Sequence, residues 1–558
     1  MKPILTSNKL RGGYYTPPII AEFLCNWAIQ TKLDRVIEPS CGDGVFMSFA
    51  CKRMLQLGTS KKSISKNLLG IEYASSEARK AEDHLKTIGI NNSEEMIHQG
   101  DFFEYVQENN YVPSIFSKEA TPLELFDAVV GNPPFIRYQN FPPKQRAIAF
   151  SILESLGLKP NKLTNSWLPF LVISTQLLSK DGRLAMIVPA ELFQVKYAAE
   201  TRQFLSQHFR RITILTFRDL VFPEIQQEVV LLLCEKNHVR DFGIRTLELK
   251  NQDDLQKYDH SSIEQLEVKP INHSKDKWTQ YFLNTDEIEL LHRLRKNSKV
   301  TPLGKFIDVD VGVVTGCNDF FILRQSEYSK WRLNGSSLPI VSRSPHLKGL
   351  FFSKTDLENN YLSDYPALLF FPKAQSKGDL SNCDLRYISF GEENNYQSGY
   401  KCSIRDPWYI VPSVWIPDAF SLRQVHEYPK LVLNSSGATC TDTIHRIRFK
   451  DAHQSTAIVV SFLNSMTLAF SEVLGRSYGG GVLTFEPSEI EELPIFLPAK
   501  LKLNANNIDN LLRDRSIGSV LDSVDNEILI NGLGLQSDTV LSLRNIWQKL
   551  KERRIGRK

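Results

Sequence analysis

The chain has 558 residues, of which 42% are hydrophobic and 23% charged, and its formal net charge is +4. This length allows two or three domains of roughly 100–200 residues each, and the composition is that of a globular chain with a substantial core. No stretch reaches the roughly 18 apolar residues that a membrane span requires, and Met1–Leu10 lacks the apolar segment of a secretory signal. We therefore expect no membrane association.

Cysteine spacing argues against one class of metal-binding protein, and the net charge indicates which partners are possible. The 8 cysteines are scattered and none forms a C-x-x-C pair. This spacing argues against a zinc ribbon and is typical of reduced thiols inside a cell, and we expect no metal site. The mild positive charge permits a polyanionic partner without requiring one.

From Thr16 to residue 240, short apolar runs alternate with helix-like stretches. This alternation predicts an α/β domain with a largely parallel sheet. Helices are predicted over Gly44–Leu57, which has apolar residues on one face, and over Trp167–Leu178, which ends at Lys180-Asp181-Gly182. The predicted strands are Arg35–Ile37, Asn67–Glu72, Phe126–Gly131, Leu184–Val188 and Val229–Glu235.

Beyond residue 240 the composition changes. Residues 241–300 include the polar stretch Asn251–Lys277 and predict a connecting region. Residues 301–500 are rich in aromatics, prolines and short β-like runs, which predicts a mixed α+β domain. The β-like runs are Val309–Thr315, Tyr409–Trp415 and Lys430–Asn434. Residues 501–558 predict a helical segment from Ile508 to about Lys551, followed by a basic tail.

The first candidate binding motif joins a strand to a helix. The strand Arg35–Ile37 leads through Glu38 to the turn Gly42-Asp43-Gly44. Glycines let a ligand approach the backbone, and the N-terminus of a helix offers free N–H groups. Taken alone, the motif is equally well explained as a tight turn without a ligand. Met47 replaces the third glycine of the dinucleotide fingerprint, which argues against a nicotinamide enzyme.

Two acidic residues follow later strands. Glu72 ends a predicted strand, where a carboxylate can bind both hydroxyls of a ribose. Asp101 could accept a hydrogen bond from an adenine amino group while Phe102 packs on the ring. The separation of Glu72 from Gly44 exceeds the usual roughly 20 residues, which we attribute to a loop insertion at Lys61-Lys62-Ser63.

The fourth motif is Asn132-Pro133-Pro134-Phe135, which follows the strand Phe126–Gly131 directly. The two prolines fix φ and remove two N–H donors, leaving a rigid loop that presents carbonyls and one amide side chain. Such a loop is poorly suited to binding an anion and well suited to accepting hydrogen bonds from an amino group. An aromatic ring comes next, ready to pack against a planar substrate.

In this order the motifs resemble those of the gamma-class (TaqI-like) adenine-N6 DNA methyltransferases of restriction-modification systems. The resemblance covers roughly residues 11–240, including Tyr15-Thr16 and the stretch from Ile187 to Tyr197. It implies an α/β, class I (Rossmann-like) S-adenosylmethionine-dependent methyltransferase domain over residues 1–240 and a mixed α+β DNA target-recognition domain over residues 301–500. In the second domain the similar patches are Gly312–Phe321 and Gly479–Leu483.

The resemblance also implies roles for individual residues. The implied catalytic residues are Asn132, Pro133, Pro134, Phe135 and Tyr197, with Phe193 as the alternative to Tyr197 for the second stacking aromatic. The implied cofactor-binding residues are Tyr15, Thr16, Glu38, Pro39, Ser40, Cys41, Gly42, Gly44, Glu72, Asp101, Phe102 and Asn132. Arg446, Arg448 and Arg476 are candidates for contacts to DNA phosphates.

The implied reaction is methylation of the amino group of an adenine flipped out of double-stranded DNA. The chain is then expected to be a monomeric modification enzyme in the prokaryotic cytoplasm, associated with the nucleoid. A restriction endonuclease, where one accompanies it, is expected to be a separate protein. The alternatives are an RNA adenine-N6 methyltransferase, a protein-glutamine N5 methyltransferase and a non-catalytic DNA-binding subunit.

Overall fold

The structure is a computed structural model. It describes residues 15–109, 111, 125–222, 228–237, 241–271, 273–274, 276–372, 377–478 and 480–556. The predictions for Met1–Leu10, Gly479 and the last two residues of the basic tail lie outside the described residues. The chain divides into two compact units, Met1–Thr285 with Gly556–Lys558, and Asp286–Ile555.

The first unit is built on an eight-stranded sheet with the order β3-β2-β1-β4-β5-β7-β6-β8. Only β7 runs antiparallel to its neighbours β5 and β6, while every other pair is parallel. The predicted α/β domain with a largely parallel sheet is thereby confirmed. The strands are β1 Val36–Glu38, β2 Leu68–Glu72, β3 Ile97–Gln99, β4 Phe126–Gly131, β5 Leu178–Pro189, β6 Arg211–Phe217, β7 Val229–Glu235 and β8 Gly243–Leu249.

Helices cover the sheet. Pro18 occupies the first turn of α1, where a backbone N–H would have no acceptor within the helix, so its lack of an N–H costs nothing. Helix α1 buries Ile20, Leu24 and Trp27 on one face. The helices are α1 Pro18–Ala28, α2 Val45–Gln56, α3 Lys61–Asn67, α4 Ser75–Thr87, α5 Phe102–Glu108, α6 Pro143–Ser155, α7 Trp167–Gln176, α8 Glu191–Gln194, α9 Ala199–His208 and α10 His260–Glu264. Shorter 3-10 turns cover Ser93–Glu95, Tyr138–Asn140, Lys196–Ala198, Gln252–Lys257 and Trp278–Phe282.

Three differences from the predicted elements have local causes. The supposed loop insertion at Lys61 belongs to α3, because the Ser60 hydroxyl caps this helix by accepting from the Ser63 N–H at 3.2 Å. Strand β5 begins at Leu178, six residues before the predicted start, and a register shift against β4 absorbs the Lys180-Asp181-Gly182 segment. Strand β8 lies inside the predicted connecting region 241–300, since it pairs with β6 along its whole length.

The second unit is mixed α+β, as predicted. Its helices are α11 Thr285–Arg295, α12 Asn318–Phe321, α13 Gln325–Trp331, α14 Lys354–Leu362, α15 Asn382–Glu393, α16 Tyr400–Ser403, α17 Ser455–Ser461, α18 Ser465–Leu474, α19 Pro487–Glu491, α20 Ala505–Arg513, α21 Ile517–Val524 and α22 Ser537–Ile555. Its strands are β9 Thr301–Pro302, β10 Ile307–Val311, β11 Ile322–Leu323, β12 Ser337–Val341, β13 Phe351–Phe352, β14 Leu368–Phe370, β15 Ala419–Leu422, β16 Gln424–Val425, β17 Leu431–Asn434, β18 Thr439–Cys440, β19 Ile444–Phe449, β20 Arg476–Tyr478, β21 Val482–Thr484 and β22 Pro494–Ile495.

The largest sheet of this unit has five strands in the order β10-β19-β15-β17-β13. The predicted run Tyr409–Trp415 contains no strand, and the single C-terminal helix predicted from Ile508 is three helices with a π-helical segment at Asp525–Gly532. Among the described residues no single helix is long and apolar enough to cross a membrane. The pair Ala452–Ser461 and Ser465–Leu474 reaches that length and composition together, with a bend of 83°.

Gly44 generates a prediction for the packing of α2 on α4. Its φ is +85°, and a Cβ there would lie 2.8 Å from the Cα and Cβ of Ala81. We expect Gly44→Ala to lower the free energy of unfolding by more than the roughly 1–2 kcal/mol that a left-handed backbone alone costs a non-glycine residue. Chemical denaturation would measure this change.

The matched control is Gly58→Ala, because Gly58 has a similar φ of +89° and open space where its Cβ would lie. This variant should lose only the backbone contribution. Equal losses for the two variants would contradict the close approach of α2 and α4.

Candidate functional site

The site is a cavity at the carboxyl ends of the first four strands. Because β1, β2, β3 and β4 are parallel, the segments that follow them meet at one edge of the sheet, the usual ligand position in such folds. The cavity has a volume of about 280 Å³. All of the predicted cofactor-binding residues except Gly44 line it, and Gly44 instead lies against Ala81.

Strand β1 ends in a carboxylate, Glu38, that lines the cavity, and a turn held by backbone hydrogen bonds follows it. The Cys41 N–H donates to the Ile71 carbonyl at 2.9 Å, and the Gly44 N–H donates to the Cys41 carbonyl at 2.8 Å. Glu38, 1% exposed, has a side-chain oxygen, Oε2, with no hydrogen-bond partner among the described residues. Burial, and then the nearby carboxylates of Asp43 and Glu72, raise the pKa of Glu38 well above its ordinary value.

Glu72 is held in place by the backbone on both sides of it. Its two carboxylate oxygens accept from the Gly42 N–H at 2.9 Å and from the Ala74 N–H at 2.7 Å. Burial raises the pKa of Glu72, while these backbone bonds oppose the rise. Each oxygen retains a second lone pair that can accept from a hydroxyl group.

Asp101 and Phe102 begin helix α5. One oxygen of Asp101 caps the helix by accepting from the Phe103 and Glu104 N–H groups at 3.0 Å each. The Phe102 ring, 2% exposed, stacks on the ring of Phe170 with centroids 5.0 Å apart. Phe170 comes from α7 and was missed in the sequence, because a phenylalanine inside an apolar helix gives no signal of a binding role.

The Asn132 side chain is oriented by the segment that precedes α1. Its Nδ2 donates to the Thr16 hydroxyl at 3.2 Å, while the Ser40 hydroxyl donates to the Asn132 backbone carbonyl at 3.4 Å. Because Nδ2 is bound to Thr16, the orientation of the side-chain carbonyl is fixed as well. Asn132 and Pro134 line the cavity.

Pro133 and Phe135 do not line this cavity. Pro133 is buried, and Phe135 is partly buried against a hydrophobic cluster formed by residues of the sheet and of its helices. The structure therefore brings the Asn132 amide together with the cofactor-site residues, and it gives the Phe135 ring a separate environment.

The structure distinguishes the two candidates for the second aromatic. Phe193 is 2% exposed and packs edge-on against Phe282 at 5.5 Å. The Tyr197 hydroxyl donates to Glu191 at 2.5 Å and accepts from the Asn165 side chain at 3.2 Å. Burial and the Glu191 carboxylate raise the pKa of Tyr197. Tyr197 does not line the cavity.

A third aromatic, Phe222, lies at the same edge of the sheet. It follows β6, whose carboxyl end points in the same direction as that of β4, and it belongs to the same hydrophobic cluster as Phe135. Strand β6 was not predicted from the sequence, and Phe222, an aromatic residue that follows this buried strand, was therefore missed. Phe222 is therefore a further candidate for the second ring.

Two of the three candidate phosphate-binding arginines are engaged within the second unit. Arg446, 3% exposed, donates to the Val311 and Ser413 carbonyls and to Asp310, and Arg476 donates to Glu489 at 2.9 Å. The burial of Arg446 and the hydrogen-bond partners of both arginines argue against phosphate contacts from either side chain. Arg448 is exposed, with its guanidinium 4.7 Å from the centre of the Trp415 ring.

Comparison with known proteins shows which families this chain resembles. Residues 4–301 match the family model described as N-6 DNA Methylase, and residues 275–529 match the C-terminal domain of Type II methyltransferase M.Eco57I. Type II methyltransferase M.AccI of Acinetobacter calcoaceticus is 23% identical over 94% of this chain and 93% of the relative. Type II methyltransferase M.XamI of Xanthomonas campestris pv. amaranthicola is 22% identical over 87% and 85%.

Among solved structures, the Type IIL restriction-modification enzyme MmeI in complex with DNA aligns with a TM-score of 0.54 and 11% identity. The alignment covers 94% of this chain and 71% of that one, which supports the fold. The resemblance predicted from the motifs is confirmed. Because the N-6 DNA Methylase model matches more than half of the sequence, the chain belongs to the N-6 DNA methylase family.

Proposed function

We propose that this DNA methylase transfers a methyl group from S-adenosylmethionine to the N6 amino group of adenine within a specific sequence of double-stranded DNA. The observation that carries the proposal is the Asn132 amide, which lines the cavity and is oriented by the Thr16 hydroxyl at 3.2 Å. The curated relatives M.AccI and M.XamI are Type II methyltransferases, which favours a role as the modification enzyme of a restriction-modification system.

The residues around the cavity suit S-adenosylmethionine. The buried Glu38 carboxylate, with an unpartnered oxygen, suits a cationic ligand, because a positive group would compensate its burial. Glu72 can accept from ribose hydroxyls, and Asp101 with the Phe102 ring can bind an adenine. When bound, this cofactor supplies an activated methyl group, and the methylated amino nitrogen releases one proton.

Asn132 and Pro133 would make the amino group reactive. The lone pair of an adenine amino nitrogen is delocalised into the ring, so the nitrogen is a poor nucleophile. The Asn132 side-chain oxygen and the Pro133 carbonyl would accept its two hydrogens and turn the lone pair out of the ring plane. The contribution of these residues is positioning by fixed dipoles.

The target adenine must leave the duplex to reach this loop. Phe135 follows the acceptors directly, so its ring would stack on the flipped base, and either Tyr197 or Phe222 would supply the second ring. Arg448 in the second unit is an exposed candidate for contact with a phosphate. We also propose a monomer located in the cytoplasm, with a separate endonuclease that cuts the same DNA sequence.

The first experiment is methyl transfer from tritiated S-adenosylmethionine to unmethylated genomic DNA, followed by nucleoside analysis. We expect N6-methyladenine at one discrete sequence. Label in RNA or in a glutamine side chain of a protein, with none in DNA, would overturn the proposed substrate. Label in a different DNA base would overturn the proposed reaction.

Replacement of the acceptor amide separates chemistry from cofactor binding. Asn132→Ala should reduce kcat by at least about 100-fold, the loss typical for one preorganised polar group at a reacting centre. The affinity for S-adenosylmethionine, measured by calorimetry, should persist. The control is Asn26→Ala on the exposed face of α1, which should leave both quantities unchanged. Full activity of Asn132→Ala would refute the role of this amide.

Alanine variants of the three rings identify the pair that captures the base. Phe135→Ala should weaken binding to DNA carrying 2-aminopurine at the target position by about 1–3 kcal/mol, the value of one stacking contact. One of the variants Tyr197→Ala and Phe222→Ala should show a similar loss, which assigns the second ring.

The control for these measurements is Phe242→Ala, since Phe242 is 56% exposed and distant in sequence from every motif of the site. Loss of 2-aminopurine binding in Phe135→Ala alone would exclude both Tyr197 and Phe222 as the second ring. Unchanged binding in Phe135→Ala would exclude stacking by this residue.

Glu38→Gln should raise the stability of the ligand-free protein and weaken the binding of the cofactor. The pKa of Glu38 is higher in the folded protein than in the unfolded chain. As the pH rises above the ordinary pKa of a glutamate, about 4.3, ionisation therefore favours the unfolded chain and lowers the stability of the fold. The glutamine variant should therefore melt at a higher temperature than the wild type without ligand, and the difference should grow from acidic to neutral pH.

The same substitution should weaken S-adenosylmethionine binding by about tenfold or more, because one charged contact is lost. Melting curves across this pH range and calorimetry at neutral pH measure the two effects. Glu22→Gln, on the exposed side of α1, serves as the control for both. A glutamine variant that is less stable at neutral pH would contradict the unfavourable ionisation of Glu38.

A further inference from the structure

We propose that Ser166, which precedes α7, is a positioning residue that holds the acceptor loop in its reactive shape. The inference rests on the proposed function, because the loop in question is Asn132–Phe135. Ser166 lies outside every motif that the sequence analysis identified. It is 1% exposed and lines the cavity.

Three hydrogen bonds join Ser166 to the loop and to Ile136, the residue that follows it. The Ser166 hydroxyl accepts from the Ile136 N–H at 2.8 Å and donates to the Pro134 carbonyl. The Ser166 N–H donates to the Ile136 carbonyl at 2.9 Å. The serine therefore binds the backbone on both sides of Phe135, through one side-chain group that acts as donor and acceptor at once.

The hydroxyl has no role in its own helix. Ser166 stands at the N-cap position of α7, where a serine side chain usually accepts from a backbone N–H of the first turn. Here its backbone is helical, with φ −59° and ψ −34°, and the side chain makes no capping bond. The hydroxyl is turned to the acceptor loop instead, so its removal costs the helix no cap.

The loop needs such a partner because of its composition. Pro133 and Pro134 have no N–H, so the backbone offers few donors with which to hold itself. The Asn132 side chain is fixed at one end by Thr16, and Ser166 fixes the other end. Because Ser166 is buried, removing its hydroxyl would deprive the Ile136 N–H and the Pro134 carbonyl of their present partner.

The neighbouring residue extends this support. The Asn165 side chain donates to the Tyr197 hydroxyl at 3.2 Å and to Glu191 at 3.4 Å, both beyond the carboxyl end of β5. Residues 165 and 166 thus connect the segment after β4 with the segment after β5. A shift of the loop would therefore have to disturb the hydrogen bonds of both residues.

The test compares Ser166→Ala and Ser166→Thr with Ser174→Ala. Ser174 lies on the same helix, is fully buried, and its hydroxyl has no hydrogen-bond partner among the described residues. For each variant we would measure kcat on the DNA identified above, the Kd of S-adenosylmethionine, the 2-aminopurine signal and the melting temperature. The wild type is measured first, so a failure of the proposed function is seen before any variant is made.

We expect Ser166→Ala to lower kcat by about 10- to 100-fold, the effect of a loop misplaced by a fraction of an ångström to an ångström. Its Kd for S-adenosylmethionine should stay at the wild-type value, and its 2-aminopurine signal should weaken. Ser166→Thr, which keeps the hydroxyl, should recover most of kcat, and Ser174→Ala should match the wild type.

Two results would overturn the proposal while leaving the proposed function intact. In the first, Ser166→Ala keeps the wild-type kcat. In the second, kcat, cofactor affinity and melting temperature fall together, and the threonine variant recovers none of them. The serine would then stabilise the fold as a whole and would not specifically position the loop.

Discussion

Strand β1 pairs on one side with β2 and on the other with β4, both in parallel, so that Val36 lies opposite Leu68 and Ala128. This arrangement brings the ends of the three strands to one edge, and each end carries a polar residue, Glu38, Glu72 or Asn132. No side-chain interaction is needed to gather these groups, because the backbone register alone does so. The turn after β1 then joins them, since the Gly42 N–H donates to Glu72 and Ser40 donates to the Asn132 carbonyl.

The same arrangement brings carboxylates close together, which is electrostatically unfavourable in the ligand-free protein. Burial and the proximity of Asp43 and Glu72 raise the pKa of Glu38, so its ionised form is destabilised in the absence of a compensating positive group. A cationic ligand relieves this cost. The buried carboxylate that favours binding of a cation therefore lowers the stability of the ligand-free protein, and such a trade-off is common at functional sites.

The parts of the site that could be predicted are those encoded locally. Glu38 and Glu72 end buried strands and Asn132 to Phe135 follows one directly, so pattern and order located these residues, and the family resemblance supplied their roles. The fold class followed from the same alternation. The arginines show the limit of this reasoning, since Arg446 and Arg448 are two residues apart on β19, yet Arg446 is buried and forms an ion pair with Asp310, whereas Arg448 is exposed.

The remainder depends on contacts between distant segments. Thr16 meets Asn132 across 116 positions, and Ser166 meets the loop across about thirty. A serine before an apolar helix predicts a helix cap, and the sequence holds no sign that its hydroxyl is used elsewhere. Phe222 was missed because β6 was missed, so an error in one element removed a residue from the candidate list.

The two prolines of the acceptor loop determine when the entropic cost of ordering this loop arises. Ordering an ordinary residue removes about 1–2 kcal/mol of backbone freedom, and proline has lost part of this freedom already in the unfolded chain. Together with the bonds from Thr16 and Ser166, Pro133 and Pro134 leave the acceptors ordered before any base arrives. The entropy of arranging them is lost once, when the chain folds, and it does not recur with each base that enters the site.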